Sequence, residues 1–222
     1  MSSSAQSTSA TEESSARVAP LIEIAVAYGL IEGALWSLGP VRYWWSLAAM
    51  IWIVGVTVYR RPALRDLGMT AQGFRQGLWI AGLAVVFGGV ALAIANWTGT
   101  VHDYSPNGAL AARAIPYLIW SFEQEFIVQS FMFLRFEQLV GGRKAVICSA
   151  LLFAIAHVPS PVLTTGSLMM GLVFCEAFRR YRNIYPLALA HWVIGLSLSL
   201  ALPDFIARHM RVGIGYLRFV AR

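Results

Sequence analysis

Seven apolar segments, cut by short breaks of Gly, Pro and Arg, leave this chain few ways to fold. They run from Val18 to Leu38, Tyr43 to Tyr59, Gly77 to Trp97, Ala109 to Leu139, Ala145 to Val158, Val162 to Phe178 and Ile184 to Leu202. Inside a bilayer the backbone has no water to bond, so a spanning segment must satisfy its own N–H and C=O groups as a helix. About 20 apolar residues cover the ~30 Å hydrocarbon core. Composition agrees: of 222 residues 58% are hydrophobic and 13% charged, against roughly 25% charged in soluble domains. The expectation is an all-α, polytopic membrane helix bundle of about seven to eight helices, multi-pass in a cell membrane. One transmembrane domain is expected over residues 17–222. Residues 1–16, rich in Ser, Thr and Ala with Glu12 and Glu13, read as a disordered tail.

The net charge of +6 is almost wholly arginine and sits in short loops. Arg60, Arg61, Arg65 and Arg75 form one basic stretch, Arg135, Arg143 and Lys144 a second, and Arg179, Arg180 and Arg182 a third. The intervening loops at 98–108 and 158–161 carry no Lys or Arg. This alternation places the basic loops in the cytoplasm. It leaves Arg208, Arg211, Arg218 and Arg222 on the opposite side, where an amphipathic end lying on the membrane surface would suit them. No nucleic-acid module is present, so the charge reads as topology-setting and the expected partner is the lipid bilayer. Cys148 and Cys175 lie within apolar segments and read as small buried hydrophobes. Trp36, Trp44, Trp45 and Trp97 read as interfacial anchors.

Against this background, ionisable groups inside the apolar segments stand out. A charged side chain at mid-helix costs about 2.5 to 3.5 kcal/mol on insertion scales, so several at similar depth call for a use. Glu125 lies ten residues before Arg135, His157 thirteen after Lys144 and His191 nine after Arg182. At 1.5 Å per helical residue these are depths of about 15, 20 and 13 Å. Helical rotation puts Glu125 and Gln129 on one face, with Gln124 flanking and Glu123 opposite. Phe153 sits one turn before His157, and His191 one turn before Gly195. A carboxylate, two imidazoles and two amides converging there could activate a water and stabilise an oxyanion. They could equally form a structural polar network between helices.

Gln124-Glu125 with Gln129, Phe153-x-x-x-His157 and His191-x-x-x-Gly195 resemble the CPBP family, the CAAX prenyl endopeptidases and bacteriocin-processing enzymes also called Abi proteins. The family pattern is Glu-Glu-x-x-x-Arg, Phe-x-x-x-His and His-x-x-x-Asn, and the resemblance covers roughly residues 110–202. It implies a glutamate-dependent intramembrane endopeptidase acting on a membrane-anchored or lipid-modified peptide or protein substrate. By that resemblance Glu125 is the general base, His157 assists it, and His191 donates a hydrogen bond to the tetrahedral intermediate. Gln124, Gln129 and Phe153 orient the water or peptide. The chain departs from the pattern where Gln124 replaces a carboxylate, Gln129 the Arg and Gly195 the Asn. Those departures keep an alternative open, a catalytically inactive CPBP-like scaffold that binds a membrane partner. A carrier using the same buried groups lacks the inverted repeats expected of it.

No cofactor is expected. If a metal were used, His157, His191 and Glu125 could supply three ligands to zinc, although no helical His-Glu-x-x-His signature is present. Glu176, four residues before Arg180, reads as half of a surface ion pair. Glu23 and Glu32 face opposite sides of the first helix, with Glu32 the candidate for lining a cavity. His102 and His209 read as solvated.

Overall fold

The computed structural model describes residues 2–102 and 109–219, with side chains from 18 and from 112 onward. Most of the polar loop expected after Trp97, from Asp103 to Gly108, lies outside the described residues, as do the side chains of 1–16. Among those described the chain is all-helical: α1 (Ser2–Trp36), α2 (Val41–Arg60), α3 (Phe74–Thr98), α4 (Ala109–Glu125), a π-helical stretch (Phe126–Phe133), α5 (Leu134–Val140), α6 (Gly142–Ile155), α7 (Pro161–Tyr181) and α8 (Tyr185–Ala201). A hook of α9 (Asp204–Ala207), a 3-10 turn (Arg208–Met210) and α10 (Gly213–Leu217) follows. α4, the π stretch and α5 form one rod, so the seven apolar segments become seven rods. Val18–Trp36, Val41–Arg60, Phe74–Thr98 and Pro161–Tyr181 are long and apolar enough to cross a membrane.

The breaks have local causes. Gly99 closes α3 at φ 69°, and its N–H bonds back to Asn96 O at 3.3 Å. Gly141 (φ 79°, ψ 158°) separates α5 from α6 with a backbone that side chains disfavour. Ser160 caps α7, its hydroxyl accepting from Leu163 N at 3.4 Å, and Pro161 supplies the first-turn residue that needs no donor. α6 has fourteen residues and ends at Ile155, so His157 sits in the turn after it rather than within a span. That shortness is the one expected for the fifth segment.

Lipid supplies no hydrophobic drive between helices, so close packing of small residues matters. α3 lies on α8 where a Cβ at Gly88 would fall 2.4 Å from Ser197 Oγ. α6 lies on α7 where a Cβ at Gly171 would be 3.0 Å from Ala150 Cα. Phe133, Phe174, Phe178, Ile184 and Leu187 fill the interior between the π stretch, α7 and the start of α8. The outward face of α3 is the reverse: Leu83, Val86, Phe87, Val90, Ile94 and Trp97 are all more than half exposed. An apolar band of that extent suits lipid rather than water.

The basic loops gather at one end. There Glu23 of α1 accepts from Arg60 Nε at 2.8 Å and from Arg135 Nε at 2.9 Å, joining three rods. Arg182 donates to Glu137 at 2.6 Å, and Glu176 pairs with both Arg179 and Arg180, the surface pairing expected. The hook lies at the other end, where Gly213 N donates to Val158 O at 2.9 Å. Arg208 is engaged inside the hook, its Nη1 donating to Tyr216 O at 2.8 Å while its guanidinium lies over the Tyr216 ring.

Candidate active site

Polar residues recur at Tyr117, Ser121, Glu125 and Gln129, a spacing of four that lays them along one stripe of the fourth rod. Glu125 is 1% exposed, at the last turn of α4 before the π stretch begins. π-helical turns interrupt α-helices most often at functional sites, because they re-aim side chains that a regular helix would rotate past one another. Here Gln129, also 1% exposed, reaches back across the first π turn and donates Nε2 to Glu125 Oε2 at 3.1 Å.

Across the interface, α8 presents His191, 5% exposed, with Nδ1 at 2.8 Å from Glu125 Oε1. An ionised carboxylate only accepts, so Nδ1 carries the proton and Nε2 keeps its lone pair. Trp192 fastens the same stretch of α8 to α4, its Nε1 donating to Ala114 O at 2.8 Å. His157 arrives from the turn after α6. Its Nδ1 donates to Phe153 O at 2.7 Å, and a carbonyl can only accept, so its Nε2 is likewise the acceptor. The Phe153 ring stands against both imidazoles, 4.8 Å from His157 and 6.0 Å from His191 between ring centroids, with its edge or face turned to each.

The structure therefore joins Glu125, Gln129 and His191 in one hydrogen-bonded chain and sets Phe153 and His157 against it. Gln124 is half-buried and stands outside that chain, and Glu123 is half-buried also. The Oε1 atom of Gln129 is buried without a hydrogen-bond partner among the described residues. Once its amide is turned to Glu125, this leftover acceptor could take a hydrogen bond from a donor such as a water or a peptide N–H. A metal at this site would draw on His157 and His191 through their Nε2 atoms, the Glu125 contact of His191 Nδ1 being kept. Cys175, fully buried beside Gln129, is the small hydrophobe expected.

Tyr117 is the residue that motif spacing misses. A Cβ added at Gly195 would fall 1.9 Å from the Tyr117 hydroxyl oxygen, so that hydroxyl occupies the space a side chain at 195 would take. Its ring stands edge-on to His191 with centroids 6.4 Å apart. The signal in the sequence is the four-residue polar ladder of α4 combined with a glycine one turn after His191; neither alone points to the pair.

Residues 106–197 match the family model described as type II CAAX prenyl endopeptidase Rce1-like. The matched stretch is about two fifths of the chain and contains Tyr117, Glu125, Gln129, His157, His191 and Gly195. No curated protein and no solved structure matches the chain.

Proposed function

We infer that this chain, a member of the CPBP family through its Rce1-like residues 106–197, is an intramembrane endopeptidase resident in a cell membrane. It hydrolyses a peptide bond in a membrane-anchored or lipid-modified substrate without a metal. The observation that carries this reading is the 2.8 Å contact between Glu125 and His191, two groups from different helices buried together where lipid surrounds the bundle. Beside that contact, Gln129 Oε1 is buried without a partner among the described residues, an acceptor available to a reacting water.

In the proposed reaction a water donates one hydrogen to Glu125 and the other to the Gln129 Oε1 acceptor, with the His157 ring beside it. Glu125 takes one of its protons as the oxygen attacks the scissile carbonyl carbon. His191 Nδ1–H and the Gln129 amide hold the carboxylate so that one lone pair faces that water. The negative charge developing on the carbonyl oxygen is met by a donor at the Tyr117 hydroxyl, in the space left by Gly195. The carbon–nitrogen bond then breaks, and the proton on Glu125 passes to the leaving amine. His191 was expected from the family pattern to donate to the oxyanion. With its Nδ1 turned to Glu125, the proposal gives that task to Tyr117 and makes His191 the group that positions the base.

The test reconstitutes the full-length protein in liposomes with a library of membrane-anchored peptides, some prenylated, and identifies products by mass spectrometry. Wild type is expected to cleave a subset, and Glu125→Gln and His157→Ala to cleave none while remaining folded in the membrane. Peptide binding without product across the library, or undiminished turnover in both variants, would overturn the reading.

A further inference from the structure

His102, Asp204 and His209 come together at the end of the bundle opposite the basic loops, outside the family-matched stretch. His102 belongs to the connection after α3, Asp204 opens α9 and His209 lies in the 3-10 turn. His102 Nε2 is 3.2 Å from Asp204 Oδ1, and His209 Nε2 is 2.9 Å from Asp204 Oδ2. One ligand atom from each residue falls within 4.8 Å of the others. Tetrahedral zinc with bonds of about 2.0 to 2.1 Å sets its ligand atoms about 3.3 Å apart; the two His–Asp separations are close to that, and the others, within 4.8 Å, would draw in on binding.

His102 is also oriented from its other ring nitrogen. Its Nδ1 faces Leu200 O at 3.3 Å, a carbonyl placed to accept a hydrogen from that nitrogen. In the tautomer protonated at Nδ1, Nε2 turns a lone pair toward Asp204 Oδ1, an arrangement that a metal ion would bridge. Metal-ligating imidazoles regularly give their other N–H to a backbone carbonyl, the bond His102 makes with Leu200. His209 holds its place at φ 55° within three successive left-handed residues, Arg208, His209 and Met210, a backbone that needs outside support to persist. The side chains of His102, Asp204 and His209 are 21%, 33% and 42% exposed, which leaves access for an ion and for water as a fourth ligand.

We propose that His102, Asp204 and His209 bind a divalent transition metal of zinc type, with water completing the coordination, as a brace between the α3–α4 connection and the hook. The hook in turn holds Val158 through Gly213 N, next to His157. This site is separate from the Glu125 centre and stands whether or not the protein is a peptidase.

The experiment strips full-length protein in detergent with EDTA and titrates it with Co2+, reading the visible d–d bands and bound metal per chain. One equivalent is expected for wild type and for Glu125→Gln. Loss of a ligand should weaken binding beyond the ~10- to 100-fold that removal of an outer partner costs, so His209→Ala and Asp204→Asn should bind no stoichiometric ion. Thermal unfolding gives a second readout: Zn2+ should raise the midpoint of wild type and leave those two variants at the metal-free value. Absence of binding to wild type, binding that survives in both variants, or binding lost in Glu125→Gln would each overturn the proposal.

Discussion

The two oxygens of Glu125 are held by different helices, Oε1 by His191 of α8 and Oε2 by Gln129 of its own rod. Glu125→Gln keeps the shape but removes the proposed base, and should lower kcat by about 10^2- to 10^4-fold, the range of a positioned general base, leaving no product on the timescale of wild-type turnover; prolonged single-turnover cleavage in liposomes measures the residual rate. Tyr117→Phe removes only a hydroxyl. It should lower kcat by about 10^2- to 10^3-fold, the cost of one oxyanion donor, with KM little changed. Gly195→Asn forces its new side chain onto the Tyr117 hydroxyl and should be inactive. Tyr117→Ala combined with Gly195→Asn should lose less than the two single losses multiplied together, because both changes act on one shared volume. Kinetic cycles over the four proteins decide it, and independent effects would separate the two positions.

At the scale of elements, the fourth rod carries both the site and an anchor, and the π stretch sets their relative rotation. Deleting Ile127 should return Phe126–Phe133 toward α geometry with the helix beyond it little rotated, and bring Gln129 from four residues after Glu125 to three. The Glu125–Gln129 bond should then be strained while the Arg135–Glu23 pair stays, seen as a fall in cleavage with little change in unfolding temperature. Glu23 matters for a related reason: Arg135 is only 6% exposed, so Glu23→Ala leaves a charge stranded. Removing one partner of a buried pair costs about 3 to 5 kcal/mol, and calorimetry in detergent should register it as a clear drop in the unfolding midpoint.

These elements also mark what the sequence could carry. Helix limits were legible because Gly141, Pro161 and the arginine loops punctuate them, and Glu125 with His191 was legible because polar groups at depth are expensive. The π stretch was not, since its residues are as apolar as any α-helical run; Ser130 within it is tied to a distant loop, its Oγ donating to Leu67 O at 2.7 Å. The partnership of Tyr117 with Gly195 was hidden because it joins residues 78 positions apart through shape rather than charge. His102 and His209, expected to be solvated, are instead drawn to Asp204 by the folding-back of the hook, a tertiary event with no local pattern.

For the whole molecule, the central claim is that an apolar bundle shelters one reactive water between helices while its outer faces meet lipid. Its outward residues on α3 fit that arrangement, as does the satisfied charge network at the basic end. The most direct measurement runs cleavage in water enriched with oxygen-18 and weighs the product's new carboxyl terminus. One heavy oxygen per product from wild type, with no product from Glu125→Gln, is the predicted result. Product from Glu125→Gln at the wild-type rate, or no product from wild type across membrane-anchored peptides it demonstrably binds, would contradict the account.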